Sequence, residues 1–219
     1  MDPVHVKICG LTQPEQANTI VEMGADAIGV VFAPSKRQVD IQLAAKIVST
    51  VSGAAQAVGV FVNASAEQIN SIAEQTGITR AQLHGEESPE IVAKIIIPCW
   101  KVFRVRDEHF AVEMHDWLVC QPEGHGVEAV MLDTFSPQAA GGTGDAFNWK
   151  LVARMRDEDL LGDLPPLILA GGLDAGNVAE AIRVVQPSMV DVSSGVEESP
   201  GRKDIEKVRA FLQAAKGGQ

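Results

Sequence analysis

A cysteine and an aspartate each close a strand-like apolar segment of this chain. Cys9 follows the alternating run Val4 to Ile8 and precedes Gly10, and Asp133 follows the apolar run Ala129 to Leu132. In a β/α architecture the reactive groups come from the carboxyl ends of the parallel strands. We therefore expect Cys9 and Asp133 to face each other across one pocket.

These two side chains could move protons. A thiol acts as a base only as the thiolate, so the pKa of Cys9 must fall from about 8.5 toward neutrality under a positive group or a helix N-terminus. Lys7 lies in the same strand. A partly desolvated carboxyl group at Asp133 suits a proton donor. Together they would support an isomerisation without cofactor or metal. The alternatives are a buried structural thiol and a turn-capping aspartate.

Two glycine-containing loops further along predict a phosphate site. Gly171 and Gly172 follow one apolar strand, and Ser193, Ser194 and Gly195 follow the next. Glycines let backbone N–H groups approach an anion, and the hydroxyls and the start of a short helix would add to the binding. The alternative is that these glycines only serve tight turns.

Two further candidates are charged or titratable. Arg37, in the loop after the second strand, could bind a substrate carboxylate by a two-pronged hydrogen bond or could be a solvated loop charge. His84 could line the site or could be a turn histidine bonded to backbone. The other histidines receive no role: His5, His109, His115 and His125.

The elements that must position these residues repeat along the chain. Short apolar strands begin near Val4, Ala25, Gln56, Arg80, Trp100, Val127, Pro166 and Ser188. Eight such strands, most of them followed by a helical pattern, predict an α/β fold: a closed (β/α)8 TIM barrel forming a single domain over residues 1–219. An open doubly wound sheet is the alternative, although it usually has fewer strands and no GxGxxG follows the first one.

Local signals predict where the helices begin and end. We expect Thr12 to cap the first helix, which would stop at Gly24, and Asp40, Ser65 and Ser88 to cap the next three. The helix capped by Ser88 would run from Pro89 to Ile97. After the fifth strand we expect a helix over Ala111 to His115 and a short strand over Trp117 to Val119.

Composition excludes several classes of protein. The formal charge of −11 over 219 residues argues against nucleic-acid and anionic-membrane partners, which require concentrated Lys and Arg. There is no apolar run of about 18 residues and no signal-peptide pattern, so we expect a cytoplasmic protein. The three cysteines lack CxxC spacing, which argues against a disulfide framework or a zinc site. We expect Cys99 and Cys120 to be structural thiols.

Spaced motifs along essentially the whole chain carry a family resemblance. They are Lys7 to Thr12, Phe32 to Arg37, Gly59 to Asn63, Gln82 to Gly85, Leu132-Asp133, Gly141 to Gly144 with Phe147 and Trp149, Leu169 to Leu173, and Asp191 to Glu197 followed by Pro200-Gly201 and Lys203-Asp204. With these motifs the sequence resembles the phosphoribosylanthranilate isomerases of tryptophan biosynthesis.

The resemblance implies an Amadori rearrangement of N-(5-phosphoribosyl)anthranilate. Asp133 would be the general acid and Cys9 the general base, while Arg37 would grip the anthranilate carboxylate. The loops with Gly171-Gly172 and Ser193 to Gly195 would hold the phosphate. His84 and Asp191 match substrate-binding positions, and the loop Gly141 to Gly144 would close over the substrate. Asn148 departs from the family pattern, in which an aspartate is expected before the tryptophan.

Three other functions compete with this one. The related histidine-pathway barrel isomerase performs the same rearrangement, but it has an aspartate in place of Cys9 and binds two phosphates. A barrel that only binds a phosphorylated ligand would need neither an acid nor a base. A thiol redox enzyme would need a resolving cysteine. We expect a small phosphoribosyl substrate, no nucleic-acid or membrane partner, and a monomer rather than a homodimer.

Overall fold

The computed structural model describes residues 3–51, 53–134, 149–158, 161 and 164–217. Its elements are β1 (His5–Ile8), α1 (Pro14–Glu22), β2 (Ala27–Val31), α2 (Ile41–Val51), β3 (Gln56–Phe61), α3 (Ala66–Thr76), β4 (Arg80–Leu83), β5 (Cys99–Val105), α4 (His109–Val119), β6 (Ala129–Thr134), α5 (Trp149–Asp157), β7 (Leu167–Leu169), α6 (Val178–Val185), β8 (Met189–Val192), β9 (Glu197–Ser199), β10 (Arg202–Lys203) and α7 (Ile205–Lys216). In these ranges no helix has both the length and the apolar character needed to cross a membrane.

The first eight strands form a closed parallel barrel. Each strand pairs with the next in sequence, and β8 pairs with β1, where Lys7 lies in register with Asp191. The predicted eight-stranded (β/α)8 barrel is therefore confirmed, and the open sheet is wrong.

Alternation along the strands separates two apolar cores. The barrel interior contains Ala27, Val58, Trp100, Val102, Ala129, Met131, Ile168, Ala170 and Met189. The larger core lies between the strands and the helices. Successive strand residues point to opposite faces. Asp133 therefore shares the interior face of β6 with Ala129 and Met131, and it emerges at the carboxyl mouth of the barrel.

Two of the predicted caps are confirmed and one is wrong. Asp40 accepts a hydrogen bond from the N–H of Leu43 at 2.7 Å. Ser65 forms a reciprocal capping box with Gln68. Thr12 does not cap α1, whose N-cap residue is Gln13. The Thr12 hydroxyl instead donates to the carbonyl of Gly201 at 2.6 Å.

The segment after β4 is shorter in helical structure than predicted. A 3₁₀ helix covers Pro89–Lys94, and Ile95 is already extended. The Asn70 side chain, from α3, donates to the carbonyl of Lys94 at 2.8 Å and accepts from the N–H of Ile96 at 3.0 Å. These bonds use backbone groups that a longer helix would need. Ser88 is the N-cap residue but makes no capping hydrogen bond.

The predicted strand over Trp117 to Val119 is also wrong, because these residues continue α4. Phe110, Met114 and Trp117 follow helical spacing, and the first two are buried. The Trp117 indole packs edge-on against Phe103, with ring centroids 5.9 Å apart, and its N–H donates to the carbonyl of Glu87 at 2.8 Å. Tertiary contacts of this kind hold the last turn in helical form.

A small antiparallel hairpin between β8 and α7 was not predicted. It consists of β9 and β10. The Gln16 side chain binds both backbone groups of Lys203, accepting from its N–H at 3.0 Å and donating to its carbonyl at 2.8 Å. Together with the bond from Thr12 to Gly201, these contacts fasten the hairpin to the loop after β1 and to the first turns of α1.

A buried ion pair fixes the loop that follows β4. Lys101 on β5, 4% exposed, donates to the Glu87 carboxylate at 2.8 Å and to the carbonyl of Gly85 at 2.6 Å. Glu87 also accepts from the N–H groups of Gly85, at 3.0 Å, and Asn63, at 2.9 Å. The loop that carries His84 is thus bound on both sides.

Removing one partner of this pair should destabilise the fold. Lys101→Met leaves the Glu87 carboxylate buried without a cation, and we expect a loss of about 3–5 kcal/mol in the free energy of unfolding. Urea titration followed by circular dichroism measures this loss. The matched surface change Lys94→Met should stay within about 0.5 kcal/mol of the parent. A loss below about 1 kcal/mol in the free energy of unfolding of Lys101→Met would contradict a stabilising role for the buried Lys101–Glu87 ion pair.

Candidate active site

One pocket at the carboxyl ends of the barrel strands gathers every predicted site residue. Its lining includes Cys9, Arg37, His84, Asp133, Gly171, Gly172, Asp191, Ser193, Ser194 and Gly195. Apolar side chains from β2 and β3 and from the loops after β3 and β7 complete the wall: Val31, Val60, Val62 and Leu173. Residues spread over most of the chain therefore meet in one cavity.

Cys9 and Asp133 enter this pocket from different strands. Cys9 directly follows β1 and its N–H donates to the carbonyl of Val192 at 2.8 Å, which extends the pairing with β8. Asp133 is the penultimate residue of β6. The two residues are 8% and 5% exposed, so both reactive groups are largely withdrawn from water.

A buried lysine lies against the Cys9 thiol. Lys7 is fully buried, and its ammonium is 2.9 Å from Oδ1 of Asp191. The charges of Lys7 and Cys9 also influence each other's pKa. Gly29 on β2 leaves room for both groups, since a Cβ there would lie 2.7 Å from Sγ of Cys9 and 3.1 Å from Nζ of Lys7. Thiol, ammonium and carboxylate thus form one cluster at the base of the pocket.

The electrostatics of this cluster correct one expectation. Burial raises the pKa of Cys9, the charge of Lys7 lowers it and the charge of Asp191 raises it, and the net result lies above the ordinary thiol value. The predicted fall toward neutrality is therefore wrong. For Lys7, burial lowers the pKa, but the charges of Asp191 and Cys9 outweigh it, so the lysine stays protonated. The positive group that the sequence reasoning required is present, but desolvation is stronger.

His84 lies between two other polar groups of the pocket. Its Nε2 is 3.2 Å from Oδ2 of Asp133, although the contact lacks the geometry of a hydrogen bond. Its Nδ1 is 3.3 Å from the side-chain nitrogen of Gln82, which is 2% exposed. The Gln82 Oε1 is buried and has no hydrogen-bond partner among the described residues. Gln82 and His84 therefore each carry, in this wall, a buried polar atom that has no hydrogen-bond partner among the described residues.

Arg37 is held by a carboxylate that the sequence reasoning missed. Its Nε and Nη2 donate to the two carboxylate oxygens of Glu197, both at 2.7 Å. The buried Lys203 donates to the same carboxylate at 3.0 Å and to the carbonyl of Ser193 at 3.0 Å. Burial acts to raise the pKa of Glu197, but Arg37 and Lys203 together bring that pKa below its usual range. Arg37 is therefore not a solvated loop charge.

The two glycine-containing loops meet at the opposite rim. Gly171 and Gly172 have φ of +87° and +66°, the left-handed backbone that their turn requires. Gly195 packs so tightly that a Cβ would lie 2.0 Å from the carbonyl oxygen of Leu173. The predicted short helix is a single 3₁₀ turn over Ser194–Val196, so individual backbone N–H groups, rather than a long helix dipole, face this rim.

Some of the sequence-based predictions lie outside the described residues. They are the loop Gly141 to Gly144, Phe147 and the departure at Asn148. Of the residues that were missed, Gln82 carried a sequence signal, because it interrupts the buried strand Arg80–Leu83 with an amide. Glu197 and Lys203 carried a weaker one, since only the hairpin brings their charges together.

With the site described, the chain can be compared with known proteins. A family model described as N-(5'phosphoribosyl)anthranilate (PRA) isomerase matches residues 6–214. The chain belongs to this family. The resemblance predicted from the motifs is confirmed, and the protein is an isomerase.

Individual relatives cover nearly the full chain. The N-(5'-phosphoribosyl)anthranilate isomerase of Trichlorobacter lovleyi is 44% identical over 214 residues, which are 97% of this chain and 98% of that protein. A structure of monomers generated from the dimeric isomerase of Thermotoga maritima has a TM-score of 0.83 at 38% identity, with 98% and 99% of the two chains covered.

A third relative was solved with a ligand. It is a phosphoribosyl anthranilate isomerase in complex with reduced 1-(o-carboxyphenylamino)-1-deoxyribulose 5-phosphate, and its TM-score is 0.82 at 38% identity. The match covers 98% of this chain and 99% of that one. The relative that binds this phosphorylated ligand therefore shares its fold with nearly the whole of the chain described here.

The cluster of Lys7, Cys9 and Asp191 predicts opposite pH effects of two substitutions. Lys7→Met removes the cation that lowers the Cys9 pKa, and Asp191→Asn removes the anion that raises it. We expect the titration midpoint of Cys9 to rise in the first variant and to fall in the second, by about 1–3 pH units. The pH dependence of alkylation by iodoacetamide measures both midpoints.

The background for this measurement is Cys120→Ser, since Cys120 is exposed. Burial raises the pKa of Cys99 to about 12, so that thiol stays unreactive over the range used. The surface change Lys46→Met should leave the midpoint in place. The assigned charges shift the Cys9 midpoint in opposite directions in Lys7→Met and Asp191→Asn, whereas general damage to the pocket would shift it in the same direction in both. Shifts of the same sign would therefore contradict the assigned electrostatics.

Proposed function

We propose that this protein catalyses the Amadori rearrangement of N-(5'-phosphoribosyl)anthranilate to 1-(2-carboxyphenylamino)-1-deoxyribulose 5-phosphate, with Asp133 as general acid and Cys9 as general base. The observation that carries the proposal is the pocket itself, which the Cys9 thiol and the Asp133 carboxyl group line together with two polar loops and the Arg37 guanidinium. Membership in the isomerase family supports the choice of substrate.

The reaction begins at the furanose ring. Asp133 donates a proton to the ring oxygen, the bond between that oxygen and C1 breaks, and the nitrogen lone pair forms a C1=N double bond. Cys9, as the thiolate, then removes the proton from C2. The C2–H electrons form a C1=C2 double bond while the C=N electrons return to nitrogen. The resulting enolamine tautomerises, with a proton added at C1 and the C2 hydroxyl becoming the ketone.

The buried cluster around Cys9 supports its part in this sequence. Cys9 must be ionised to accept a proton, and the charge of Lys7 acts to lower the Cys9 pKa and so favours the thiolate. Lys7 holds a compensating positive charge next to the thiolate in a site from which most water is excluded. The ammonium is in turn held by Asp191, which also lines the pocket in which the sugar would bind. Asp191 therefore serves both the base and the substrate.

The remaining groups would hold the two ends of the substrate. Arg37 binds the anthranilate carboxylate, and backbone N–H groups of Gly171, Gly172 and the segment Ser193 to Gly195 bind the phosphate. His84 contacts the reacting sugar next to Asp133, and Gln82 lies beside His84 with an amide oxygen that has no hydrogen-bond partner in the described part of the chain. All these groups come from one chain, so we infer a monomeric catalytic unit formed by a single domain. The cytoplasmic compartment stays a prediction.

Replacing the acid or the base should abolish turnover without abolishing binding. We expect Cys9→Ala and Asp133→Asn each to lower kcat by at least about a hundredfold, the contribution of a general acid or base. The decay of substrate fluorescence after N-(5'-phosphoribosyl)anthranilate is generated in situ measures kcat. Binding of reduced 1-(o-carboxyphenylamino)-1-deoxyribulose 5-phosphate should stay within about threefold of the parent.

Two matched controls accompany these variants. Cys120→Ala and Asp116→Asn change the same residue types at exposed positions and should keep full activity. An inactive but folded parent protein would exclude the isomerase activity and favour a barrel that only binds. Full activity in Asp133→Asn with loss in Cys9→Ala would assign the acid to another residue.

The phosphate rim yields a separate prediction. In Gly195→Ala the new methyl group would collide with the carbonyl of Leu173 and push the two loops apart. We expect KM to rise by about tenfold or more and inhibition by inorganic phosphate to weaken equally, because one charge-assisted hydrogen bond accounts for about that factor. Gly126→Ala, in open surroundings, is the control. An unchanged phosphate inhibition constant would place the phosphate elsewhere.

A further inference from the structure

The guanidinium of Arg37 has two edges that can each bind a carboxylate. Glu197 occupies the side edge, made of Nε and Nη2, with both oxygens at 2.7 Å. The end edge consists of Nη1 and the second N–H of Nη2. No described residue accepts a hydrogen bond from Nη1. Because a guanidinium is planar and rigid, fixing one edge also fixes the direction of the other.

Glu197 is itself fixed in place. It is 8% exposed, and besides Arg37 it accepts from the ammonium of Lys203 at 3.0 Å and from the N–H of Gly201 at 3.2 Å. Its backbone carbonyl accepts from Lys207 at 3.0 Å. The carboxylate on the hairpin is therefore held from several directions before any ligand arrives.

The charges of this cluster do not cancel. Arg37 and Lys203 are two cations around the one carboxylate of Glu197, so one positive charge is left over. A carboxylate directly opposite Arg37 would normally neutralise it and compete with an incoming anion. Lys203 removes that objection, because Glu197 can orient Arg37 while the cluster as a whole still attracts an anion.

We propose that Glu197 is a positioning residue for substrate recognition: it turns the end edge of Arg37 into the pocket so that this edge binds the substrate carboxylate in a bidentate manner, and Lys203 supplies the charge that keeps the clamp positive. This inference rests on the proposed function, in which Arg37 binds the anthranilate carboxylate. Through Glu197 and Lys203, the hairpin β9–β10 would make the pocket prefer a substrate with a planar carboxylate next to Arg37.

Glu197→Gln separates orientation from charge. Burial already lowers the pKa of Lys203 below its usual value, and the Glu197 carboxylate opposes that effect. Replacing the carboxylate by an amide removes one negative charge, so the positive charge of the cluster does not fall, whether or not Lys203 keeps its proton. Because the positive charge is not reduced, a loss of carboxylate binding in this variant reports the orientation of the guanidinium.

The test uses two inhibitors and the intact chain. One is reduced 1-(o-carboxyphenylamino)-1-deoxyribulose 5-phosphate, and the other is the same compound without the ring carboxylate. The ratio of their inhibition constants gives the contribution of the carboxylate. It is measured for the parent, Glu197→Gln, Arg37→Lys and the control Glu198→Gln, whose side chain is 59% exposed and pairs with Arg202 at the surface.

We expect the ratio to favour the carboxylate in the parent and to fall by about tenfold in both Glu197→Gln and Arg37→Lys, the factor expected for one charge-assisted hydrogen bond. The inhibition constant of the compound without the carboxylate should stay within about threefold of the parent. In the variant that combines Glu197→Gln with Arg37→Lys, the ratio should fall no further than in either single variant, since both substitutions act on one contact. Glu198→Gln should resemble the parent.

Two results would overturn the inference, and they have different meanings. If Glu197→Gln weakens both inhibitors equally, or neither, while Arg37→Lys lowers the ratio, Arg37 binds the carboxylate and Glu197 has only a structural role. If the parent shows no preference for the carboxylate, or if Arg37→Lys leaves the ratio unchanged, Arg37 does not bind the substrate carboxylate. The Arg37 contact of the proposed function then fails, and the positioning role of Glu197 fails with it.

Discussion

Buried ammonium groups need carboxylate partners, and the mouth of this barrel is built around that constraint. A lysine withdrawn from water without an anion would be deprotonated or would destabilise the fold. Here Lys7, Lys101 and Lys203, at 0%, 4% and 1% exposure, each meet a carboxylate from another element. Each pair also contacts a pocket residue or its loop: Cys9 beside Lys7, the His84 loop beside Lys101, and Arg37 with Ser193 beside Lys203.

This arrangement explains how an acidic protein can hold an anionic substrate. The chain as a whole carries a formal charge of −11, which would repel a phosphorylated carboxylate at long range. Screening limits that repulsion to about 8 Å at physiological salt, whereas buried charges act with much less screening. The proposed mode of binding therefore depends on the positive charge near Arg37 and on the backbone N–H groups of the glycine-containing loops, and not on the surface charge.

Much of the fold and the site followed from sequence because both depend on local patterns. Eight apolar runs with capping residues between them specified the barrel, and residues at the strand ends specified the pocket, since strand ends must meet at one rim. What failed depended on tertiary contacts. Asn70 shortened the helix after β4, and Trp117 kept in α4 a segment that was predicted as a strand. These contacts join residues that are distant in sequence, so the hydrophobic pattern within either segment does not reveal them.

The same distinction explains why Glu197 and the high pKa of Cys9 were missed. A sequence shows that Lys7 is near Cys9, but the pKa of the thiol depends on burial and on Asp191, which comes 184 residues after Lys7 in the chain. Glu197 and Arg37 are separated by 160 residues. In a closed barrel the last strand pairs with the first, so the chemistry of the first strand is completed by residues near the end of the chain. The interactions that set the properties of the Cys9 thiol and the Arg37 guanidinium therefore form only when the barrel closes.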